Sequence, residues 1–249
     1  MKQSTFIKSA VLAGSVLFAG FGFAGDAAPK AAITVAPSSD LAVNFGVGYT
    51  DEYVFRNSNR GNDLVEASIG VSGNGNLSGL GDIGLSAGLW IGTYEADRSA
   101  SRSFSTHEMR ISMEASRSLG SFDLAVGVTN YSFFGASNAP DILEPYVGLS
   151  TEMAGLAIGI GVHDTEDADD PYWEITAGRS VDLGGLGLNV EGMIGSLNEF
   201  DDTFYGVSVG LPIAASDSIT VTPHVSAIFG DTASDDDEFT AGVNLNFGF

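Results

Sequence analysis

The chain closes on Phe239-Thr240-Ala241-Gly242-Val243-Asn244-Leu245-Asn246-Phe247-Gly248-Phe249, an unbroken alternation of two kinds of residue. Phe239, Ala241, Val243, Leu245, Phe247 and Phe249 are apolar, and every residue between them is small or polar. Successive side chains of an extended strand point to opposite sides, so this segment reads as a strand with one wholly apolar face. The same period appears upstream in Leu41/Val43/Phe45/Val47/Tyr49, in Ile83/Leu85/Ala87/Leu89/Ile91 and in Phe122/Leu124/Val126/Val128. It recurs in Leu156/Ile158/Ile160/Val162, Tyr205/Val207/Val209/Leu211 and Ile219/Val221/Pro223/Val225/Ala227/Phe229.

About twelve segments follow the pattern, over 41–53, 63–72, 82–94, 104–117, 122–133, 141–153, 156–163, 171–181, 186–196, 204–211, 219–229 and 238–249. Most approach the ~9–11 residues with which a strand tilted by roughly 45° crosses a bilayer. The links between them alternate in chemistry. Asp- or Ser-rich links (51–62, 95–103, 134–140, 164–170, 198–203, 230–237) interleave with Gly/Ser-rich ones (73–81, 118–121, 154–155, 182–185, 212–218). A soluble sandwich has no reason to segregate its loops in that way, whereas an outer-membrane barrel has short periplasmic turns and longer polar external loops. The expected fold is therefore all-β: an antiparallel up-and-down transmembrane β-barrel of about twelve strands, both termini periplasmic. Period alone also fits a soluble barrel with its apolar faces turned inward.

Composition agrees. The 249 residues hold 33 Gly and no Cys, and 32 Asp+Glu stand against 10 Lys+Arg, giving a formal charge of −22. That balance excludes a nucleic-acid binder working through a basic surface. Absence of Cys removes disulfide scaffolds, thiolate metal sites and cysteine nucleophiles. At the start, Lys2 and Lys8 precede the apolar run Ala10–Ala19, and Gly22-Phe23-Ala24 supplies the small residues of a cleavage site. We expect residues 1–24 to be a signal peptide, 25–40 an N-terminal periplasmic segment and 41–249 the barrel, in the outer membrane of a Gram-negative bacterium.

With the apolar face toward lipid, parity assigns the opposite face to the lumen. That face carries Asn44, Glu66, Trp90, Glu108, Arg110, Glu114, Glu144, Tyr146, Glu174, Asn189, Glu191, His224 and Asn244 among many Gly and Ser. Six carboxylates, Glu66, Glu108, Glu114, Glu144, Glu174 and Glu191, against the single Arg110 would attract cations if a water path exists. The alternative is that Arg110 pairs with neighbouring glutamates and the side chains fill a narrow interior; the small residues favour conduction. Aromatic residues near strand ends, among them Tyr49, Tyr53, Tyr131, Tyr172, Phe204, Tyr205 and Phe229, are candidates for interfacial girdles.

Catalysis has weaker support. Shared occupancy of a lumen does not fix two carboxylates at a glycosidase separation. His107, His163 and His224 sit in no recognised nucleophile motif, and two or three histidines on separate strands are insufficient for a zinc claim. The acidic runs 164–170 and 231–238 offer Asp167, Asp169, Asp235 and Asp237 as weak ligands for a divalent cation, without the glycine and terminal glutamate spacing of an EF-hand. No phosphate loop or dinucleotide fingerprint is present, and no cofactor is expected.

Several stretches resemble the TorF-like family of proteobacterial outer-membrane porins. Tyr49-Thr50-Asp51-Glu52-Tyr53-Val54-Phe55-Arg56 is similar to that family's first-strand signature, in which Tyr-Val-Phe-Arg precedes a Gly; here Asn57 stands in its place, which argues against a special turn role there. Leu85–Gly92 resembles its third strand, Asn130–Gly135 its aromatic strand end and Glu144-Pro145-Tyr146-Val147-Gly148 its middle strand. The resemblance implies a porin-like role without a named solute, and carries no catalytic residue over. The expected function is passive, cation-preferring diffusion of ions or small solutes, with outer-membrane lipids as surroundings and no enzymatic activity. A closed structural or adhesive barrel acting through its acidic loops is the alternative, and a lipid hydrolase a more distant one. Whether barrels associate as homo-oligomers is left open by the sequence.

Overall fold

The computed structural model describes residues 41–77, 81–95, 106–134, 140–165, 170–184, 186–197, 200–230 and 237–249. The expected signal peptide and periplasmic segment lie outside the described residues, as do Asp167, Asp169 and Asp235. The strands in chain order are β1 Ala42–Phe55, β2 Ser58–Leu77, β3 Gly81–Glu95, β4 His107–Leu119, β5 Phe122–Phe134, β6 Ile142–Met153 and β7 Leu156–His163. They continue with β8 Tyr172–Asp182, β9 Gly187–Leu197, β10 Asp202–Gly210, β11 Ile213–Ser216, β12 Ile219–Gly230 and β13 Glu238–Gly248. Consecutive strands pair antiparallel, except that β10 and β11 do not pair with each other and both pair with β12. β1 pairs β13 from Asn44↔Gly248 to Thr50↔Gly242, so the sheet closes on itself.

The thirteen strands make twelve staves, because β10 and β11 form one line broken at Leu211-Pro212. Gly210 faces His224 and Ile213 faces Val221, which is one continuous register. The Leu211 N–H donates to the Pro223 carbonyl at 3.0 Å, whereas Pro212 has no N–H to give. The 212–218 segment, expected as one of the Gly/Ser-rich links, is therefore mostly strand, with the turn confined to Asp217-Ser218.

Side chains separate as the alternation requires. Outside stand Phe45, Val47, Val65, Ile69, Leu85, Ile91, Ile111, Met113, Val126, Val147, Ile160, Ile175, Ile194, Val207, Val225 and Val243, all exposed. An apolar belt of this extent in a closed barrel is the surface that hydrocarbon requires, since closure leaves no unpaired backbone edge. Short turns at one end include Ala154-Gly155, both with positive φ (54° and 73°), the two-residue hairpin geometry whose twist matches the flanking strands.

The 51–62 region departs from the expected acidic loop. β1 and β2 run to Phe55 and from Ser58, joined by Arg56 (φ 48°) and Asn57 (φ 59°) alone. Position 57 does have a special turn role, and Asn fills it because its short polar side chain tolerates the left-handed region. One extra residue, Arg60, shifts the β1–β2 register, and another irregularity follows between Asn62 and Val65, where Asp63 has φ 55°. These bulges bend the hairpin tip away from the line of the wall.

Candidate functional site in the barrel interior

The bent tip turns inward and crosses the mouth. Arg56, at the β1–β2 turn, forms a two-pronged ion pair with Glu144 of β6, with Nη1 to Oε2 at 2.7 Å and Nη2 to Oε1 at 2.8 Å. Its guanidinium lies 4.0 Å from the ring centroid of Tyr172 on β8. Asn57 reaches Gly230 of β12, where a Cβ would come within 2.6 Å of its Nδ2. One hairpin thus touches three well-separated staves of the wall.

Two apolar clusters fill the layer around it. Val54 packs with Tyr172, Met193, Phe204 and Ile228, while Tyr53 packs with Leu64, Trp90 and Tyr94. Tyr53 and Val54, adjacent in sequence, are both at 0% exposure, which no straight two-faced strand allows. Tyr53, Tyr131, Tyr172 and Phe204 are therefore interior residues, a correction to their expected place in the interfacial girdles. Tyr49, Phe134, Tyr205 and Phe229 remain exposed near strand ends.

Large rings fit because glycines face them. A Cβ at Gly195 would lie 2.3 Å from the Phe204 ring, at Gly92 2.3 Å from the Trp90 ring, and at Gly127 2.4 Å from the Tyr146 ring. The interior glycines thus accommodate rings folded flat along the wall, and do not by themselves leave an open bore.

The carboxylates fall into three groups. Glu108 and Glu144 are neutralised in the filled layer. Arg110, 1% exposed, donates from Nε to Glu108 Oε1 at 2.6 Å and bonds the Tyr53 hydroxyl, which donates to Glu108 Oε2 at 2.8 Å. Arg110 also stacks against Phe55, Trp90 and Tyr131 at 4.8, 4.5 and 5.1 Å. Glu144 accepts from Tyr131 at 3.0 Å and from Thr165 at 2.7 Å in addition to Arg56, and His163 Nδ1 lies 3.3 Å away.

Glu66, Glu114 and Glu174 each accept a hydrogen bond: from Trp90 Nε1 at 2.6 Å, the Tyr146 hydroxyl at 2.5 Å and the Tyr172 hydroxyl at 3.3 Å. His163 bridges the groups, with Nε2 3.5 Å from Glu174. Glu191 stands apart, with no hydrogen-bond donor among the described residues. His224, 6% exposed, leaves Nδ1 without a partner. Asp237, the described member of the weak cation ligands, is exposed at the start of β13, and no group of three metal-ligating side chains occurs among the described residues.

Below the filled layer the wall from β8 to β13 holds hydroxyls. Thr176, Ser208, Ser226 and Thr240 are each buried with an unpartnered side-chain oxygen. Ser208 faces Glu191 on one side and Ser226 on the other, and Ser226 faces Thr240, so they form a polar band across β9–β13.

Sequence parity found Glu108, Arg110 and Glu144 but missed Arg56, Tyr53, Thr165 and Tyr172, which assemble them. The accessible signal was the run Tyr53-Val54-Phe55, three apolar residues in succession that break the period of two.

No protein-family model matches the chain, and no curated protein matches it in sequence. Solved structures do. An outer membrane channel from Pseudomonas putida is similar at a TM-score of 0.52 and 10% identity, over 86% of this chain and 97% of that one. The outer membrane phospholipase A of Escherichia coli is similar at 0.51 and 13%, over 82% and 89%. The Salmonella typhi outer membrane phospholipase, a dimer with bound calcium, is similar at 0.50 and 13%, over 82% and 90%. At these identities the likeness is one of fold, and the fold is that of the outer-membrane β-barrels of Gram-negative bacteria.

Proposed function

We propose that the protein is a porin-like outer-membrane channel for passive, cation-preferring passage of ions or small solutes, its outer mouth controlled by the β1–β2 hairpin. The observation that carries the reading is a polar, carboxylate-bearing wall beneath a hairpin held across the mouth by one arginine. Beneath the packed layer the described inward positions include Glu114 and Glu191 and no Arg or Lys, an acidic balance that favours cations. Glu108 and Glu144, by contrast, are charge-compensated and serve the plug. The hydroxyls of Thr176, Ser208, Ser226 and Thr240 line the wall beneath the hairpin, groups that water hydrates readily, which favours an aqueous path there. Membership of the TorF-like porins is part of the same proposal.

A permanently closed structural barrel is the second reading, favoured by the completeness of the packed layer around Tyr53 and Val54. Lipid hydrolysis has less to support it. His107 Nδ1 lies against Thr106 Oγ1 at 2.8 Å and His163 lies against the carboxylates of Glu144 and Glu174. Recording the refolded chain in a planar bilayer under a KCl gradient tests the proposal. Stepwise currents with a cation-selective reversal potential are expected. Folded, inserted protein that never passes current, with or without its hairpin tip, would move the reading to the structural barrel.

A further inference from the structure

Among the six glutamates Glu66, Glu108, Glu114, Glu144, Glu174 and Glu191, the last has a setting of its own. It lies on β9, and a Cβ at Gly178 of β8 would be 3.5 Å from its Cγ, so the side chain leans over β8 where the glycine leaves room. Thr176, two residues along the same face of β8, is 8% exposed with Oγ1 unpartnered. Ser208, directly opposite Glu191 on β10, is 0% exposed and its Oγ is likewise unpartnered. No cationic side chain pairs with Glu191 among the described residues. Two buried hydroxyls without a partner and one carboxyl group therefore share a stretch of the wall, a set of oxygens on which a small cation can draw.

We infer that Glu191, with the Thr176 and Ser208 hydroxyls, forms a binding site for a monovalent cation on the lumen wall. The inference rests on the channel reading for its role, as a resting place on the path, though not for the binding itself. A single carboxylate with neutral hydroxyl oxygens suits a singly charged ion. Divalent ions draw on more carboxylates, and no cluster of three metal-ligating side chains is available among the described residues. Weak ligation is also what passage needs, since an ion must leave as readily as it enters.

Crystals of the full chain, folded in detergent and grown with rubidium chloride, test the site by anomalous scattering. A rubidium peak beside the Glu191 carboxylate is expected in the wild-type protein and in Glu152→Gln, which removes an exposed acid elsewhere. It should vanish in Glu191→Gln and weaken in Thr176→Val. No peak in the wild type, meaning that water alone satisfies the hydroxyls, would overturn the inference, and so would a peak that survives Glu191→Gln. Bilayer recordings on the same preparations keep the two readings apart. Glu191→Gln should lower the cation-to-anion permeability ratio about twofold or more. A peak without current sinks the channel and leaves the site, whereas cation-selective current without a peak sinks the site and leaves the channel. A peak lost in Glu191→Gln with an unchanged reversal potential would take the site off the path.

Discussion

Arg56 holds a left-handed backbone conformation that ordinary residues avoid, at a cost of about 1–2 kcal/mol. Such a conformation persists only where the surroundings enforce it, and here the two-pronged bond to Glu144 and the stacking on Tyr172 do so. Arg56→Ala should destabilise the folded barrel by about 2–4 kcal/mol in urea titrations, because it strips a buried carboxylate of its guanidinium. Arg56→Lys should recover only part of that loss, since an ammonium cannot reproduce the paired bonds. If both variants matched the wild type, the latch would be a surface contact of no consequence. Gly195→Ala makes a separate point about packing. Its Cβ would meet the Phe204 ring at 2.3 Å, and a loss of about 1–3 kcal/mol is expected, measured in the same titration. These roles were not legible in the sequence, because period two says which face a residue is on and nothing about which distant residue crosses the lumen to meet it. Glu144 was found by parity, whereas its partner Arg56 sits in a turn, where parity has no meaning.

At the scale of the element, the β1–β2 hairpin is where sequence and structure part company. Two strands further on agree closely, β7 spanning Leu156–His163 and β6 Ile142–Met153 against the expected 156–163 and 141–153, whereas β2 runs on to Leu77 and β11 takes up much of the expected 212–218 link. β6 and β7 are governed by local alternation and by turn residues such as Ala154-Gly155. The hairpin tip instead follows from two bulges, at Arg60 and around Asp63, that no local pattern announces. Glu52 faces Asn62 in the register, so replacing 53–61 by Asn-Gly would close the hairpin early with a matching two-residue turn. That variant removes Tyr53, Val54 and Arg56 together and should still fold, since β1 keeps its pairing with β13 and with β2 from Leu64 onward. Trypsin resistance of the inserted barrel checks the folding. A shortened protein that failed to insert would mean that the tip is part of the scaffold and not a movable element.

For the whole molecule, the same alternation that marks twelve staves also separates lipid from lumen, and this was the most legible property of the chain. Ile160, 42% exposed on β7, belongs to the apolar belt, while Ser150 on β6 faces inward and is buried. Ile160→Arg should cost about 2–4 kcal/mol of folding free energy in vesicles, the penalty for a charge near the bilayer midplane. Equal tolerance of arginine at Ile160 and at a solvent-exposed turn would contradict a lipid-facing belt. What the sequence left open was whether the interior is bore or filling, because lumen volume depends on how rings fold over glycines and on which loop turns inward. Both outcomes coexist: a packed layer at the outer mouth and a polar wall beneath it. If the hairpin closes the mouth as proposed, it alone separates these two states. Single-channel conductance of the wild-type protein and of the 53–61 replacement, recorded side by side in KCl, checks this. Rare or small openings are expected in the wild type, and a steady, severalfold larger cation-selective current in the shortened protein. Indistinguishable recordings from two folded, inserted barrels would contradict it.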